Sequence, residues 1–465
     1  MAWICAVLRA QQIGGGRQHG RGPRRGDEAA HFGEEILPAC RTRGLGSARS
    51  VHGPSVATGD ATATQRLPEG APVITPIRPA LAPCARGGYN QHGKMKCLLL
   101  HLLLLAGLVL AACGGEEQHA PPALPSGTGQ PRTFAMGLSS FPPELTEESY
   151  ASAFELAASV GEVILIRRTP PWDELLTDAP FPSDCTAANT QREIELAAEH
   201  GLDIFLAIDV ADFSGGCNQE ATLPAELANA GFANERVRQA LVTYAQYVAL
   251  NYRPTYLAFG VDVNTFAEEG SEDFDQFLSI YNEAYDAVKG LSPETLVFPT
   301  FQLERLDASL PPEGPRQPQW YLIPRFGTRL DLLAVSSYPS LAFSDVKKIP
   351  ADHYLQLAAH TDRPVVIADM GYSSGPGPDG AHEGSEEQQA AFLRRALRDA
   401  QRLAMPLVVW FIGQDTSFAG EPPFEHLQHL GLLRQDGTAK AAWRAWEEAA
   451  RRPLVERPGR TPASQ

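Results

Sequence analysis

Acidic, amide and aromatic side chains stand directly after short apolar segments of this 465-residue chain. Asp262 and Asn264 follow one such segment, and Asp369 and Tyr372 follow another. Two carboxyl groups held close together can do acid–base chemistry when one is protonated and the other ionised. Amides and aromatic rings beside them favour a sugar site, because hydroxyls need polar partners and the C–H face of a pyranose stacks on a ring. Similar positions are occupied by Arg167, Asp209, Asp212, Gln302, Tyr338, Trp410, Gln414 and Asp415.

The apolar segments alternate with longer amphipathic ones, which is typical of repeated βα units. Most are apolar throughout, as strands buried on both faces of a parallel sheet are. We predict eight strands, at 133–138, 162–167, 203–209, 255–261, 295–301, 330–337, 364–370 and 406–412. They predict a single-domain α/β fold, a (β/α)8 TIM barrel over residues 133–450, whose site lies at the carboxyl ends of the strands.

The helical patterns between these strands fit the same fold. They fall at 146–160, 190–200, 233–251, 272–289, 350–360, 385–404 and 438–450, whereas 305–329 is rich in proline and has the weakest helical pattern. An open doubly wound sheet is the alternative. It usually carries a Gly-rich phosphate turn after its first strand, and this chain has GLSSFPPEL there.

Two motifs give this pattern a specific resemblance. Gly260-Val261-Asp262-Val263-Asn264 stands where the related sequences have Gly-Asn-Glu-Val-Asn, and Ile367-Ala368-Asp369-Met370-Gly371-Tyr372 stands where they have Ile-Ala/Thr-Glu-x-Gly-Tyr/Trp. The chain resembles the retaining glycoside hydrolases of the large (β/α)8 clan, and within it the arabinogalactan endo-β-1,4-galactanase-like proteins. Further matches, in the same order, are Arg167, Phe301-Gln302, Ser337-Tyr338-Pro339, Trp410-Phe411 with Asp415, and the ending GLLRQDGTAKAAWRAW.

The resemblance implies roles for individual residues. Asp262 takes the position of the general acid/base and Asp369 that of the nucleophile, with Tyr338 orienting the nucleophile. Arg167 would lower the nucleophile's pKa, and Trp410 would form the floor of the sugar subsite. Double displacement of this kind uses two carboxyl groups about 5–5.5 Å apart and no cofactor or metal. The other residues expected to contact a carbohydrate substrate are Asp209, Asn264, Gln302, Tyr372 and Asp415.

The sequence departs from the family pattern at the catalytic positions. Both glutamates are replaced by aspartates, and the asparagine before the acid/base is Val261. Each aspartate retracts its carboxyl by one methylene, and a misplacement of about 1 Å can cost roughly 100-fold in rate. Two retractions could widen the gap toward the roughly 6.5–9.5 Å of inverting enzymes. The departure therefore indicates either an altered mechanism or a barrel that binds glycans without cutting them.

Other interpretations of these residues and of the whole protein stay open. Acids at strand ends commonly cap the next helix or pair with an arginine, and Trp410 could simply pack in the core. Three hypotheses follow: a surface-anchored glycosidase acting on a β-linked glycan, a non-catalytic glycan-binding lipoprotein, and a structural or assembly lipoprotein, since fold alone does not fix function.

The segment before the barrel resembles a bacterial lipoprotein signal. Met95-Lys96 precedes a leucine-rich run, and Leu110-Ala111-Ala112-Cys113 has the form of a lipobox. We expect a signal peptide at 95–112, lipid attachment at Cys113 and a flexible tether over 113–132. Residues 1–94 are then a disordered or mis-called upstream extension, and 451–465 a disordered tail. The alternatives are a genuine disordered N-terminal tail and a buried apolar helix at 98–112.

Cysteine usage and charge constrain the compartment and the partners. Only Cys185 and Cys217 of the seven cysteines follow the lipobox, and in an oxidising compartment they are expected to form a disulfide; two free thiols are the alternative. The formal net charge of −16 argues against a nucleic-acid or anionic-membrane surface, because phosphate binding needs clustered Lys and Arg. We expect an exported monomer held at the cell envelope by its lipid alone.

Overall fold

The computed structural model describes residues 129–177, 180–211, 230–267, 272–310, 317–376, 384–418 and 427–455. Within these ranges nine parallel strands form one sheet in the order β5-β4-β3-β2-β1-β9-β8-β7-β6. The predicted (β/α)8 barrel is confirmed. The strands are β1 Ala135–Ser139, β2 Val163–Arg168, β3 Asp203–Ile208, β4 Tyr256–Phe259, β5 Leu296–Phe298, β6 Thr300–Gln302, β7 Leu333–Ser337, β8 Val365–Met370 and β9 Leu407–Trp410.

β5 and β6 stand at the two ends of the sheet order, and they are parts of one strand that is interrupted at Pro299. β5 pairs with β4 and β6 pairs with β7. Proline has no N–H to give to a ladder, so the pairing stops on one side and resumes on the other. The amide of Thr300 still donates to the Gly260 carbonyl at 3.0 Å. The nine segments therefore correspond to the eight predicted strands, with the fifth split in two.

The helices cover the outside of the barrel and begin at recognisable caps. Thr146, predicted as an N-cap, accepts a hydrogen bond from the Ser149 amide. The helix predicted from residue 190 begins earlier because Ser183 caps it. The helix predicted at 350–360 is only a short 3-10 segment, Leu355–Ala359. The α-helices are α1 Glu147–Val160, α2 Trp172–Leu175, α3 Asp184–Glu199, α4 Glu235–Asn251, α5 Asp273–Leu291, α6 Leu303–Leu306, α7 Glu386–Arg402 and α8 Ala441–Ala450.

A buried polar network ties β2 to the helices around it. Arg168 forms an ion pair with Glu193 of α3, and both side chains are almost fully buried. The hydroxyls of Tyr150 in α1 and Tyr252 after α4 each donate to Glu193 at 2.6 Å. Their phenolic pKa values lie well above normal, first because of burial and then because of the Glu193 charge. The network fixes the end of β2, immediately beside Arg167.

Several predictions concern residues outside the described ranges. Cys113, Asp212, Cys217 and residues 1–128 and 456–465 lie there, so the signal peptide, the tether before 129, the lipid and the pairing of Cys217 stay predictions. Cys185 is disulfide-bonded. In the part of the chain that is described, no helix is long and apolar enough to span a bilayer, and no cluster of His, Cys, Asp and Glu could hold a metal ion.

Candidate active site

Five of the residues singled out in the sequence meet at the carboxyl ends of the strands. Arg167 forms an ion pair with Asp209 at 2.6 Å, joining the ends of β2 and β3. The Tyr338 hydroxyl, after β7, donates to Asp369 Oδ1 at 2.6 Å. The charges of Asp262 and Asp369 also raise the pKa of Arg167. A guanidinium, three carboxyl groups and a phenol therefore share one end of the barrel.

Asp262 is held at a sharp turn after β4. Its φ of 49° is left-handed, and the preceding Gly260 has a φ of 101°. A Cβ at Gly260 would lie 2.6 Å from Val263 Cγ1, so a larger residue does not fit there. A left-handed non-glycine residue costs of order 1 kcal/mol or more, which the surrounding contacts must offset. Such strain is common where a side chain has to be aimed at a functional site.

Two hydroxyl groups fix the Asp262 carboxyl in that turn. Ser336 Oγ of β7 donates to Asp262 Oδ1 at 2.6 Å, and Thr300 Oγ1 lies 3.3 Å from the same oxygen. The Asp262 amide donates to Thr300 Oγ1 at 2.8 Å. Ser336 pairs in register with Asp369 on the neighbouring strand. Ser336, whose hydroxyl binds the Asp262 carboxyl, is therefore also the residue that pairs with Asp369 across the sheet.

Asp369 lies beside a β-bulge. Val335 pairs with Ile367 but Ser336 pairs with Asp369, so Ala368 is an extra residue in β8. A bulge bends its strand and re-aims the next side chain. The backbone is thus irregular at both aspartates, and their carboxyl positions are not those of regular strand ends.

The electrostatics of this cluster favour retaining a proton near neutral pH. Burial, and then repulsion by Asp262, raise the pKa of Asp369 to about 7, although Tyr338 and Arg167 act in the opposite direction. Burial also raises the pKa of Asp262 against the opposing effects of Arg167 and Ser336. For Arg167, burial would lower the pKa, but Asp209, Asp262 and Asp369 together raise it, so the guanidinium stays charged. Such coupled acids are characteristic of catalytic sites.

The aromatic residues predicted to bind sugar are packed inside the protein. Trp410 is 0% exposed, and its indole N–H donates to the Leu430 carbonyl at 2.9 Å. Tyr372 is also 0% exposed, stacks on Phe392 and donates to Gln388 Oε1 at 3.0 Å. The structure therefore does not place the rings of Trp410 and Tyr372 where a sugar platform was predicted. A ring without an exposed face cannot stack on a pyranose.

The predicted amide contacts are also satisfied within the protein. Asn264 is 0% exposed; its Nδ2 donates to the Gln302 carbonyl at 3.1 Å and its Oδ1 accepts from the Gln302 amide at 2.8 Å. The side chain of Gln302 caps α6 through the Arg305 amide. These two residues hold the β4 and β6 ends together, and their predicted contacts with a carbohydrate stay a prediction.

Asp415 likewise has a structural partner. It pairs with the buried Lys440 at 2.6 Å and accepts from the Gly431 amide at 2.8 Å. Burial raises its pKa while Lys440 lowers it. The pair joins the segment after β9 to the start of α8, so Asp415 is not a free substrate ligand.

Three residues that position the side chains of the site were not predicted from the sequence. Ser336 and Thr300 hold Asp262, and Glu304 is 0% exposed behind Tyr338. Glu304 accepts from the Tyr338 amide at 3.1 Å, the Ser337 hydroxyl at 2.7 Å and His353 Nε2 at 3.2 Å. Thr300 and Ser336 could have been noticed as hydroxyl residues within otherwise apolar predicted strands. Glu304 lies in a four-residue helix with no distinctive pattern.

Comparisons with known proteins identify the fold. No model of a protein family matches the chain, and no curated protein does. Solved structures that match include an exo-β-1,4-mannosidase from Opitutaceae bacterium strain TAV5, at 17% identity and a TM-score of 0.50, over 71% of this chain and 62% of that chain. This chain therefore matches less than two thirds of the mannosidase's length.

Two further matches come from glycoside hydrolases described as GH5_18. One, from Bifidobacterium longum, was solved with Manβ1-4GlcNAc and matches at 17% identity and a TM-score of 0.51, over 70% of this chain and 80% of that one. The other, from Streptomyces cattleya, was solved with the same ligand and matches at 19% identity and a TM-score of 0.51, over 71% and 82%. At these identities the comparison shows a shared (β/α)8 fold of the glycoside hydrolase type. The particular resemblance to galactanases stays a prediction.

Proposed function

We propose that this protein is a glycoside hydrolase that cleaves β-linked glycans with Asp262 and Asp369. The proposal depends on Asp262 and Asp369, two carboxyls with raised pKa values beside Arg167 and Tyr338. They lie at the end of the barrel where the strands end, which we call the mouth. Glycoside hydrolysis needs one protonated and one ionised carboxyl. A pair in which one member has a pKa of about 7 provides that state near neutral pH.

In the proposed reaction Asp262 is the general acid/base and Asp369 the nucleophile, as the resemblance implies. The carboxyl with the pKa of about 7 is Asp369, so this assignment requires the proton to pass from Asp369 to Asp262 when substrate binds. Tyr338 orients Asp369 through its 2.6 Å hydrogen bond, and Arg167 supplies the positive charge that favours ionisation. Asp209 holds the Arg167 guanidinium in place. The irregular backbone at both aspartates adjusts where these shorter side chains present their carboxyl groups.

A non-catalytic glycan-binding barrel is the second proposal. Val261 stands where the resembling enzymes have asparagine, and the burial of Trp410 leaves that ring unable to form a subsite floor. In either case the lipobox-like sequence supports an exported protein anchored in the cell envelope through a lipid on Cys113.

The test is activity on a panel of β-galactans, β-mannosides and β-glucans. The panel includes β-mannosides because two fold neighbours were solved with Manβ1-4GlcNAc. Asp262→Asn and Asp369→Asn keep side-chain volume and are each expected to reduce kcat by at least about 1,000-fold, because each step needs both carboxyls. The exposed Asp352→Asn is the control.

The outcomes separate the two proposals. Cleavage lost in both site variants and kept in the control supports the hydrolase. Saturable glycan binding without cleavage, weakened by Arg167→Ala, supports the binding barrel instead. Cleavage that survives both asparagine substitutions contradicts the proposed chemistry.

A further inference from the structure

A basic groove lies at the end of the barrel opposite the mouth. It has a volume of about 380 Å³ and lies between the C-terminal halves of α7 and α8. Helices of a parallel barrel run opposite to its strands, so these C-terminal halves lie where the strands begin. The base is apolar, formed by Leu397, Ala445 and Ala449, and the rim carries Arg394, Arg398, Arg402, Arg452, Gln130, Gln401 and Glu448.

Three of the rim arginines share one face of α7. Arg394, Arg398 and Arg402 are spaced by four residues and are all exposed. Like charges at this spacing repel one another, and of the three only Arg402 lies in the last turn, where a cation stabilises the helix dipole. Arg402 has Asp399 at 3.6 Å, whereas in the described part of the chain neither Arg394 nor Arg398 has a carboxylate within ion-pair distance. The molecule as a whole carries a formal charge of −16, so this is a local reversal of sign.

The fourth arginine is built into the groove. Arg452 Nε donates to the Gln130 carbonyl at 2.6 Å, and its Nη2 donates to Gln401 Oε1 at 2.8 Å. Burial, and then the positive charge of Arg132, lower the pKa of Arg452. A cation held in these surroundings is stabilised further when an anion approaches.

The groove also lies where the chain enters the barrel. Arg452 binds the backbone of Gln130, and the Arg132 amide donates to the Pro453 carbonyl at 2.8 Å. The predicted lipid site, Cys113, precedes Gln130 by residues 114–129. Fully extended, that stretch spans at most roughly 60 Å. A lipid anchor there would attach the chain at the groove end of the barrel, within that distance of the bilayer, and leave its orientation to be set by the groove itself.

We propose that this basic groove binds the headgroup phosphates of anionic phospholipids and orients the barrel with its mouth away from the membrane. Guanidinium groups form paired hydrogen bonds with phosphate oxygens, and clustered arginines are drawn to an anionic surface. The base of the groove is uncharged and formed by small or apolar side chains, so a headgroup can lie between α7 and α8. The proposal is independent of the reaction at the mouth.

The test measures co-sedimentation of the full chain carrying Cys113→Ser, which removes lipid attachment. Vesicles of phosphatidylcholine alone are compared with vesicles containing one quarter phosphatidylglycerol, in 0.1 M NaCl. The apolar segment 98–110 is common to all variants, so the readout is the gain in affinity that phosphatidylglycerol gives. Arg394→Gln/Arg398→Gln/Arg402→Gln is expected to reduce that gain about 10-fold or more.

A matched triple variant, Arg192→Gln/Arg325→Gln/Arg363→Gln, removes the same charge elsewhere on the surface and is expected to keep the gain. Equal losses in the two variants would show that only net charge matters, and would overturn the proposal. Displacement by 10 mM inorganic phosphate at constant ionic strength would also overturn it, because the groove would then be a site for soluble phosphate. Unchanged melting temperatures confirm that the variants fold.

Discussion

The buried carboxyl of Asp369 links the stability of the barrel to pH. Burial, followed by the charge of Asp262, raises its pKa to about 7 in the folded protein, whereas an unfolded chain ionises its aspartates near pH 4. Between about pH 4 and pH 7 the folded state therefore binds more protons than the unfolded state. The free energy of unfolding contributed by this group is largest below pH 4 and falls as pH rises through 7.

Asp369→Asn should remove this dependence. An asparagine keeps an oxygen that can accept from Tyr338 but cannot ionise. Relative to the wild type, the variant is expected to gain about 3–4 kcal/mol of stability as pH rises from about 4 to about 7, with no further change above that. Urea denaturation at each pH measures the difference, with the exposed Asp352→Asn as control. Parallel curves for wild type and Asp369→Asn would show that Asp369 titrates normally.

Ser336 controls the other carboxyl. Its hydroxyl donates to Asp262 Oδ1 at 2.6 Å and lowers the pKa of Asp262. Ser336→Ala removes a charge-assisted hydrogen bond to the ionised carboxyl, so the pKa of Asp262 should rise further. If Asp262 is the proton donor, the alkaline limb of the kcat/KM profile moves to higher pH with little change in KM. An unmoved limb would remove Asp262 from that role; the exposed Ser159→Ala serves as the reference.

For single residues, the sequence predicted the end of the barrel at which they lie better than it predicted which groups their side chains contact. The alternation of apolar strands placed Asp262, Asp369 and Tyr338 at the same end of the barrel, and the structure brings them there. It could not show that Trp410 faces the core, because an aromatic ring suits either a core or a sugar platform. Nor could it show that Asn264 hydrogen-bonds the backbone of Gln302, since that partner comes from another strand.

Among the elements, β2 is held at its end by a buried polar network. Arg168 at its end is paired with Glu193, which also accepts from two tyrosine hydroxyls on neighbouring elements. Breaking a buried pair by removing one partner leaves an uncompensated charge in a low-dielectric interior. Because Arg167 is the preceding residue, loosening this network also disturbs the Arg167–Asp209 pair at the mouth.

Glu193→Ala is expected to destabilise the protein by about 3–5 kcal/mol, since it leaves Arg168 buried and unpaired. Glu193→Gln keeps the side-chain shape and should cost less, although it loses the charge. Chemical denaturation measures both variants. The mostly exposed Asp286, paired with Arg329 at the surface, provides the comparison, and Asp286→Ala should change stability little. Equal effects at the two sites would indicate that the network is not a stabilising feature.

The predicted strands and helices differ from the observed ones where local residues or contacts change the backbone. Pro299 splits the fifth strand into β5 and β6, because a proline cannot donate to the ladder. The segment 350–360 has apolar residues at helical spacing, yet forms only the 3-10 segment Leu355–Ala359. His353 and Tyr354 are instead recruited to contacts with Glu304 and Ser337, which tertiary packing decides. The eight-fold alternation survives these local changes because it depends on the whole series of strands.

The whole molecule has two chemically different ends. The mouth carries three carboxyl groups around one arginine, and the opposite end carries the arginine-lined groove where the chain enters. This polarity matches a barrel that presents an acidic mouth to the surroundings while its other end faces an anionic surface. The formal charge of −16 on the whole chain adds a negative electrostatic potential around the site.

The last prediction concerns which glycans this field admits. A site with excess negative charge on an acidic molecule repels polyuronates but not neutral chains, and the repulsion is screened by salt over a Debye length of about 10 Å at 0.1 M. Binding to a neutral β-glycan is therefore expected to change little between 10 mM and 0.5 M NaCl, whereas binding to a polyuronate of equal length should strengthen as salt increases. Isothermal titration on Asp369→Asn, which binds without cleaving in either proposal for the site, measures both. Polyuronate binding that weakens with salt would mean that a local cationic contact, with Arg167 the first to test, outweighs the molecular charge.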